Sequence, residues 1–207
     1  MSFFENTRKP VGLGGKIMVA MMNIGHSAMA AWGLHFLQLA PDAIVLDCGG
    51  GANIKTLLKR CPKGKVQGID YSAVSVEKTR KVNAGAIAAG RCAVQQASVA
   101  ELPFKAEQFD VVTAFETVYF WPELAQNFRE VYRVLKPGGA FCGCFYVRGE
   151  HKRTDWFVRH IYERTGFFTP PYETASSLKK RLEKLYATVT LGTVKGMAWF
   201  ACRKGLR

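Results

Sequence analysis

Two glycines and one aspartate have the spacing of a site that holds an adenosine group. A short β-rich run at residues 43–47 leads into Gly49 and Gly51, where a ligand can approach a backbone that carries no Cβ atom. Asp70 ends a second β-rich run, 19 residues after Gly51, and a carboxylate there can accept hydrogen bonds from both hydroxyls of a ribose. The alternative role for Asp70 is an anion at the N-terminus of the following helix. The upstream glycines favour the ribose role.

The same glycine-rich loop differs from two common nucleotide-binding loops. It lacks the Gly-x-x-x-x-Gly-Lys-Ser/Thr pattern of phosphate-binding loops, so we do not expect hydrolysis of a nucleoside triphosphate. Ile54 occupies the position of the third glycine in a dinucleotide-binding fingerprint, which allows close packing of helix on strand. The loop therefore favours a ligand other than a dinucleotide.

Short β-rich runs alternate with helical patterns along the chain. We predict strands at 43–47, 65–70, 92–97, 109–115 and 140–147, and helices at 53–60, 72–89, 122–135, 152–166 and 173–185. The last two β-rich runs, 187–194 and 197–203, are joined by Lys195 and Gly196 alone, which is too short for a parallel crossover. These patterns predict an α/β fold: a doubly wound, Rossmann-like sheet of seven strands, mainly parallel with a C-terminal antiparallel hairpin, and helices on both faces.

The net charge is the unusual feature of the composition. The 207 residues carry 29 basic and 16 acidic side chains, a formal net charge of +13, and residues 147–207 alone have thirteen basic and five acidic side chains. Such a field attracts anions, so an acidic small molecule or a nucleic acid is a candidate partner. No run of five like charges and no basic–aromatic RNA-binding pattern is present, so a solvated basic surface is the preferred interpretation.

The cysteines and the N-terminal residues predict a cytoplasmic protein. Six cysteines without a secretion signal are typical of small buried thiols in a reducing compartment. The first ten residues contain no apolar segment and no small-residue cleavage site. Residues 17–39 are apolar, but polar groups such as Asn23 and Gln38 interrupt them, and their spacing favours an amphipathic helix over a membrane span.

Five short motifs occur in order over residues 40–147. They are VLDCGGG at 45–51, GIDYS at 68–72, AELPF at 100–104, FDVV at 109–112 and VLKPGG at 134–139. Together they resemble the class I S-adenosylmethionine-dependent methyltransferases, in particular the small-molecule branch that includes quinone and sterol methyltransferases. The closing antiparallel hairpin agrees with this resemblance. S-adenosyl-L-methionine is the cofactor that it implies, with S-adenosyl-L-homocysteine as the product.

The resemblance implies roles for residues in the first two motifs. Asp47 would orient the ammonium group of the methionine moiety, and Gly49 and Gly51 would lie beneath the cofactor. Asp70 would hold the ribose diol, and Tyr71 would lie along the adenine.

Further positions follow from the later motifs. Ser98 and Val99 stand where the family commonly has an Asp-Ala pair beside the adenine edge, so the adenine amino group would have a neutral partner. Phe115 and Glu116, at the end of the fourth strand, would border the methionine end and the acceptor. Asn53 replaces the common last glycine of the loop.

Methyl transfer requires little side-chain chemistry, because the sulfonium is already a strong electrophile and alignment supplies much of the catalysis. A base is needed only where the acceptor loses a proton. The weak candidates for that base are Glu116, Tyr119 and His26, and His151 is a less favoured one. Each of them could equally be a packing or surface residue. The catalytic residue is therefore left open.

Three cysteines allow one alternative chemistry. Cys142 and Cys144 alternate onto one face of the fifth strand, and Cys48 lies on the first; such thiols would suit metalloid binding. No Cys-x-x-Cys pair occurs, so buried strand packing is the preferred interpretation and no metal site is predicted.

The whole chain, 1–207, is predicted to be a single methyltransferase domain acting on a small-molecule acceptor. Residues 1–39, which hold four of the six methionines in one helix, would cover the site; residues 40–147 would form the cofactor-binding core, and 148–207 the substrate-side helices and hairpin. Two alternatives stay open: an RNA methyltransferase that uses the basic C-terminal third, and a cofactor-binding module without activity. The acceptor and the oligomeric state are not predicted.

Overall fold

The computed structural model describes residues 33–35, 37–49, 51, 53–121, 123–157, 159–160, 174–194 and 196–206. Strands and helices alternate over most of this part of the chain. The strands are β1 (Ile44–Cys48), β2 (Lys65–Asp70), β3 (Cys92–Gln96), β4 (Phe109–Phe115), β5 (Leu135–Tyr146), β6 (Thr188–Val194) and β7 (Met197–Arg203). The helices are α1 (Asn53–Arg60), α2 (Ala73–Val82), α3 (Ala84–Ala88), α4 (Leu124–Val134), α5 (Lys152–Phe157) and α6 (Ala175–Leu182), with a 3-10 turn at Val118–Phe120.

The seven strands form one sheet in the order β3-β2-β1-β4-β5-β7-β6. The first five strands are mutually parallel, and β7 pairs antiparallel with both β5 and β6. The chain leaves β1 toward β2 and returns to the other side of β1 at β4, so the carboxyl ends of β1 and β4 flank a topological switch point, where open α/β sheets bind ligands. The predicted fold class is confirmed.

Apolar side chains cover both faces of the sheet, as a mainly parallel sheet requires. On one face α4 and α6 pack over a cluster centred on Phe128, Phe141 and Phe200, each at most 1% exposed. On the other face α1 and α2 pack over a second cluster that includes Leu57 and Val66, both fully buried. The helices therefore cover both faces of the sheet and leave the ends of the strands uncovered.

Two predicted boundaries were wrong. The helix expected over 72–89 divides at Asn83, whose side-chain amide donates to the carbonyl oxygens of Thr79 and Gly51. The fifth strand begins at Leu135 rather than residue 140, because Leu135 already pairs with Phe109 before the register shifts. In both cases a contact with a distant segment sets the boundary.

Several basic side chains bind main-chain carbonyls at helix ends. Arg91 donates to the carbonyl oxygens of Leu58, Cys61 and Gly64, at and beyond the C-terminus of α1. Lys204 donates in the same way to Tyr132 and Leu135 at the end of α4. Cations at helix C-termini satisfy free carbonyls and interact favourably with the helix dipole. Part of the basic excess is therefore structural.

The predicted N-terminal cover, residues 1–39, lies almost entirely outside the described residues. Its described end is Gly33–Leu34–His35 in helical conformation, followed by residues 37–39, and Arg60 donates to the carbonyl oxygens of Leu34 and Leu37. None of the helices in the described part of the chain has the length and apolar character needed to cross a membrane.

Candidate functional site

The loop after β1 requires glycine at two positions. Gly49 has φ +133° and Gly51 has φ +81°, in the region that side-chain-bearing residues avoid. A Cβ atom at Gly49 would also collide with the methyl group of Thr117, which comes from the loop after β4. The Thr117 hydroxyl donates to the carbonyl oxygen of Cys48 at 2.9 Å. Thr117 therefore holds the loops after β1 and β4 together.

Helix α2 holds the other side of this loop through two polar side chains. Thr79 Oγ1 accepts the Gly51 N–H at 2.9 Å, and Asn83 Nδ2 donates to the Gly51 carbonyl at 3.3 Å. Both side chains are buried. The sequence interpretation did not include either residue, although polar residues at 79 and 83 continue the helix face of buried Val76 and could have been noticed.

Asp47 places a carboxyl group in the interior directly beneath the loop. It is 1% exposed, and Oδ1 accepts a hydrogen bond of 2.6 Å from the hydroxyl of Thr113 on β4. Oδ2 has no hydrogen-bond partner among the described residues. Burial raises the pKa of Asp47 to about 7; the Thr113 hydrogen bond lowers it and the charge of Asp70 raises it further. A buried carboxylate oxygen of this kind is a ready site for a cation.

Asp70 ends β2 beside this carboxyl. The register pairs Asp47 of β1 with Gly68 of β2, so Asp70 lies two residues farther toward the carboxyl ends of the strands. Its Oδ1 accepts the Ser72 N–H at 2.8 Å, at the start of α2. Burial raises its pKa to about 6, and the Ser72 hydrogen bond opposes that rise. The remaining acceptor sites of Asp70 can receive hydroxyl donors.

The predicted adenine-side residues are divided between the surface and the core. Tyr71 is 55% exposed, and its carbonyl oxygen accepts from Gln96 at the end of β3. Ser98 accepts the Ala100 N–H through its hydroxyl oxygen, whereas Val99 is buried in the cluster beneath β1. Tyr71 can therefore present a ring to a ligand, and Val99 contributes mainly to packing.

The residues after β4 contain a strained position. Phe115 is buried, and Glu116 has φ +60°, which a residue with a side chain rarely adopts. The Glu116 N–H donates to the carbonyl oxygen of Cys144 at 2.8 Å, which holds this conformation at the carboxyl end of β4. Strain of this kind is concentrated at functional sites.

The other three candidates for a base are not brought to this position by the described structure. The side chain of Tyr119 and the whole of His26 lie outside the described residues. His151 is half-buried just before α5, where its carbonyl oxygen accepts the Asp155 N–H. Glu116 is thus the candidate whose placement at the site is described.

The cysteines do not form one group. Cys48 belongs to the cluster on one face of the sheet, whereas Cys142 and Cys144 belong to the cluster on the other. Burial raises the pKa of the Cys142 thiol to about 12, so it is neutral. Within the described ranges, no group of three His, Cys, Asp or Glu side chains could hold a metal ion. The expected packing role of these thiols is what the structure shows.

Comparisons with known proteins agree with this geometry. The family described as a methyltransferase domain matches residues 45–143. The chloroplastic 2-methyl-6-phytyl-1,4-hydroquinone methyltransferase 2 of Oryza sativa subsp. japonica is 28% identical over 138 residues, which are 66% of this chain and 37% of the relative. The demethylmenaquinone methyltransferase of Lactiplantibacillus plantarum is 36% identical over 105 residues, 49% of this chain and 44% of the relative.

The matched residues contain the strand and loop that carry Asp47, Gly49 and Gly51, together with Asp70. These matches support the class I S-adenosylmethionine-dependent methyltransferase family that the motifs predicted. The relatives include quinone and sterol methyltransferases, in agreement with the predicted branch. The chain spans less than half the length of either relative described above.

A solved structure has the same fold as this chain. It comes from the complex between the Haloferax volcanii Trm112 methyltransferase activator and a methyltransferase, with a TM-score of 0.74 over 99% of this chain and 98% of that chain. The identity is 16%, so the likeness concerns the fold alone.

Proposed function

We propose that this chain transfers a methyl group from S-adenosyl-L-methionine to a small-molecule acceptor. The observation that carries the proposal is the carboxyl of Asp47, which is buried beneath the glycine loop and has an oxygen without a hydrogen-bond partner among the described residues. An ionised carboxylate in this environment is costly unless a cation pairs with it. The ammonium group of the cofactor's methionine moiety is such a cation.

The surrounding residues fit the rest of the cofactor. The backbone at Gly49 and Gly51 is free of side chains, and a Cβ at Gly49 would collide with Thr117 and displace the loop. Asp70 would accept the two ribose hydroxyls, and the exposed ring of Tyr71 would lie against the adenine. Ser98, with Val99 packed behind it, would border the adenine edge. Each side chain would thus bind a different portion of one ligand.

The chemistry that the cofactor supplies is an electrophilic methyl group, so the protein's task is to align an acceptor and, where required, remove a proton. Glu116 is the proposed base, since it is held at the end of β4 next to Phe115 in a strained conformation. In the segment that follows, Phe120 is half-buried, whereas Val118 and Trp121 pack in the core cluster. An apolar ring-bearing acceptor would contact Phe120, and the two relatives named above are, by their names, a hydroquinone and a demethylmenaquinone methyltransferase.

RNA as the acceptor is the alternative that the basic charge suggests, and some of the basic side chains are engaged within the domain. Arg91, Arg133 and Lys204 each donate to main-chain carbonyl oxygens, so these charges are engaged within the domain. Lys204 is the one of these three that lies in residues 147–207, the basic segment that motivated the alternative. A cytoplasmic location and the division into a cover, a core and a substrate-side segment remain predictions.

Labelled methyl transfer tests the proposal. The protein is incubated with methyl-labelled S-adenosylmethionine and a cell extract, and the products are separated into organic-soluble, water-soluble small-molecule, RNA and protein fractions. We expect label in a small-molecule fraction, and loss of that label with Asp47→Asn. Label in RNA alone would replace the proposal with the RNA alternative. Cofactor binding without label in any fraction would favour a module without activity.

A further inference from the structure

Thr113 occupies a position in β4 where a valine would be expected. It is fully buried between strands β1 and β5, in a strand whose other central residues are Val112 and Ala114. Valine has the same shape as threonine, and a buried hydroxyl costs free energy unless it is hydrogen-bonded. The hydroxyl at residue 113 therefore requires a partner that accounts for its presence.

That partner is Asp47. The parallel register of β1 and β4 makes Asp47 and Thr113 direct neighbours, and Thr113 Oγ1 lies 2.6 Å from Asp47 Oδ1. The same oxygen lies 3.3 Å from the carbonyl oxygen of Leu46. A hydroxyl has one hydrogen to donate, so it can bond to one of these two acceptors at a time.

We infer that Thr113 is a positioning residue of the cofactor site, which holds the Asp47 carboxylate through Oδ1 so that Oδ2 stays available for the cationic group of the cofactor. The inference rests on the proposed function. No other described side chain donates to this carboxyl. Removal of the hydroxyl would thus leave an ionised Asp47 with two buried oxygens and no donor in the described part of the chain.

The two acceptors of Thr113 fit the two protonation states of Asp47. When Asp47 is ionised, the hydroxyl hydrogen points to Oδ1. When Asp47 is protonated, the acid can donate to Thr113 Oγ1, and the hydroxyl hydrogen turns to the Leu46 carbonyl oxygen. Every hydrogen is used in both states. Cofactor binding would favour the ionised state, because a cation then faces Oδ2.

Three other titratable groups interact with this carboxyl. Asp70 on β2 raises the pKa of Asp47, and the thiols of Cys48 on β1 and Cys92 on β3 feel the charge of Asp47 in turn. Burial raises the pKa of both thiols, so they remain uncharged at neutral pH. Burial and Asp70 raise the pKa of Asp47, whereas the hydrogen bond from Thr113 lowers it. Loss of the Thr113 hydroxyl should therefore move the pH dependence of ligand binding upward.

The test measures S-adenosylhomocysteine binding by calorimetry from pH 5.5 to 8.5 in the full chain. Thr113→Val keeps the shape and removes the hydroxyl, and Thr113→Ser keeps the hydroxyl. We expect Thr113→Val to weaken binding by up to about tenfold at pH 7, because a higher pKa leaves a smaller ionised fraction of Asp47 to pair with the cofactor's cation. The midpoint of the pH dependence should move to higher pH, and Thr113→Ser should bind within about threefold of the wild type.

A double-mutant cycle with Asp47→Asn separates positioning from general packing. If Thr113 acts through the Asp47 carboxylate, Thr113→Val should have little further effect once that charge is absent. An equal loss in both backgrounds, or an unchanged affinity and pH midpoint in Thr113→Val, would overturn the inference while the proposed function stands. Failure of the wild-type protein to bind S-adenosylhomocysteine at any pH would overturn both.

Discussion

The side chain of Ile54 on α1 packs directly against Gly68 on β2. A Cβ atom added at Gly68 would lie 2.7 Å from Ile54 Cδ1. In a dinucleotide-binding fingerprint the glycine that permits close helix–strand packing stands on the helix. Here the helix has the bulky residue and the strand has the glycine, so the same closeness is reached with the roles reversed. The absence of a third glycine in the loop is explained by this exchange.

We expect Gly68→Val to destabilise the protein because the added methyl groups overlap Ile54. Overpacking of a well-filled core costs about 1–3 kcal/mol. Urea unfolding of the ligand-free protein would measure the change. In Ile54→Ala the space is vacated, so the cost of Gly68→Val should shrink by at least about 0.5 kcal/mol in that background. Equal costs in both backgrounds would show that Ile54 does not need the glycine.

Asp47 should make the stability of the ligand-free protein fall as pH rises. Its pKa in the folded state is about 7, above its usual value near 4, so the folded state binds a proton that the unfolded state releases between these pH values. Asp47→Asn removes this dependence. Relative to the wild type, the variant should gain about 2–3 kcal/mol of stability from pH 5 to pH 8, since the folded-state pKa of about 7 lies two units above pH 5 and each unit corresponds to about 1.4 kcal/mol. A difference that does not vary with pH would contradict the placement of a buried, titrating carboxyl.

Thr79 should matter for ligand binding although it lies on α2, outside the glycine loop. Its hydroxyl oxygen accepts the Gly51 N–H, and in Thr79→Val that buried N–H loses its partner. We expect affinity for S-adenosylhomocysteine to fall about fivefold or more, the change that corresponds to about 1 kcal/mol. Thr79→Ser retains the acceptor and serves as the matched control. Equal affinities for the valine and serine variants would show that the loop keeps its shape unaided.

Arg91 should contribute to stability rather than to ligand binding. Its guanidinium donates to three carbonyl oxygens around the end of α1, so Arg91→Met should lower the free energy of unfolding by about 2 kcal/mol. Lys63 is exposed in the loop between α1 and β2, near the carbonyl groups that Arg91 binds. Lys63→Met should change stability by no more than about 0.5 kcal/mol. Both variants should bind S-adenosylhomocysteine like the wild type. Thermal unfolding with and without the ligand would test both expectations, and equal melting temperatures for the two variants would contradict the assigned role of Arg91.

The sequence was sufficient to predict the seven strands and the acids near the ends of the first two. The alternation of β-rich and helical patterns is local information, and Asp47 and Asp70 lie at the carboxyl ends of their strands. The partners of those acids were not predictable in this way. Thr113 is 66 residues from Asp47, and Thr79 is 28 residues from Gly51, so only the folded sheet brings them together. The division of the predicted helix at Asn83 has the same origin, because the Asn83 amide binds Gly51.

The roles of the basic side chains were likewise not predictable from the sequence. Composition indicates a basic protein, but it does not distinguish a cation that attracts a ligand from one that binds a helix end. Arg91 and Lys204 are of the second kind, and their acceptors lie about 30 and 70 residues away along the chain. Only the tertiary structure shows that these two cations bind helix ends.

Calorimetric titration of S-adenosylhomocysteine into the wild type and Asp70→Asn tests the central claim most directly. We expect the wild type to bind in the micromolar range or tighter, with NAD and ATP much weaker, and Asp70→Asn to bind at least about tenfold more weakly because it loses a charged acceptor for the ribose hydroxyls. Without ligand at pH 8 the variant should be at least as stable as the wild type, since burial raises the pKa of Asp70 to about 6 and its ionised form is costly. Intact affinity with a lower melting temperature would contradict the ribose assignment, and tight binding of NAD alone would contradict the cofactor site.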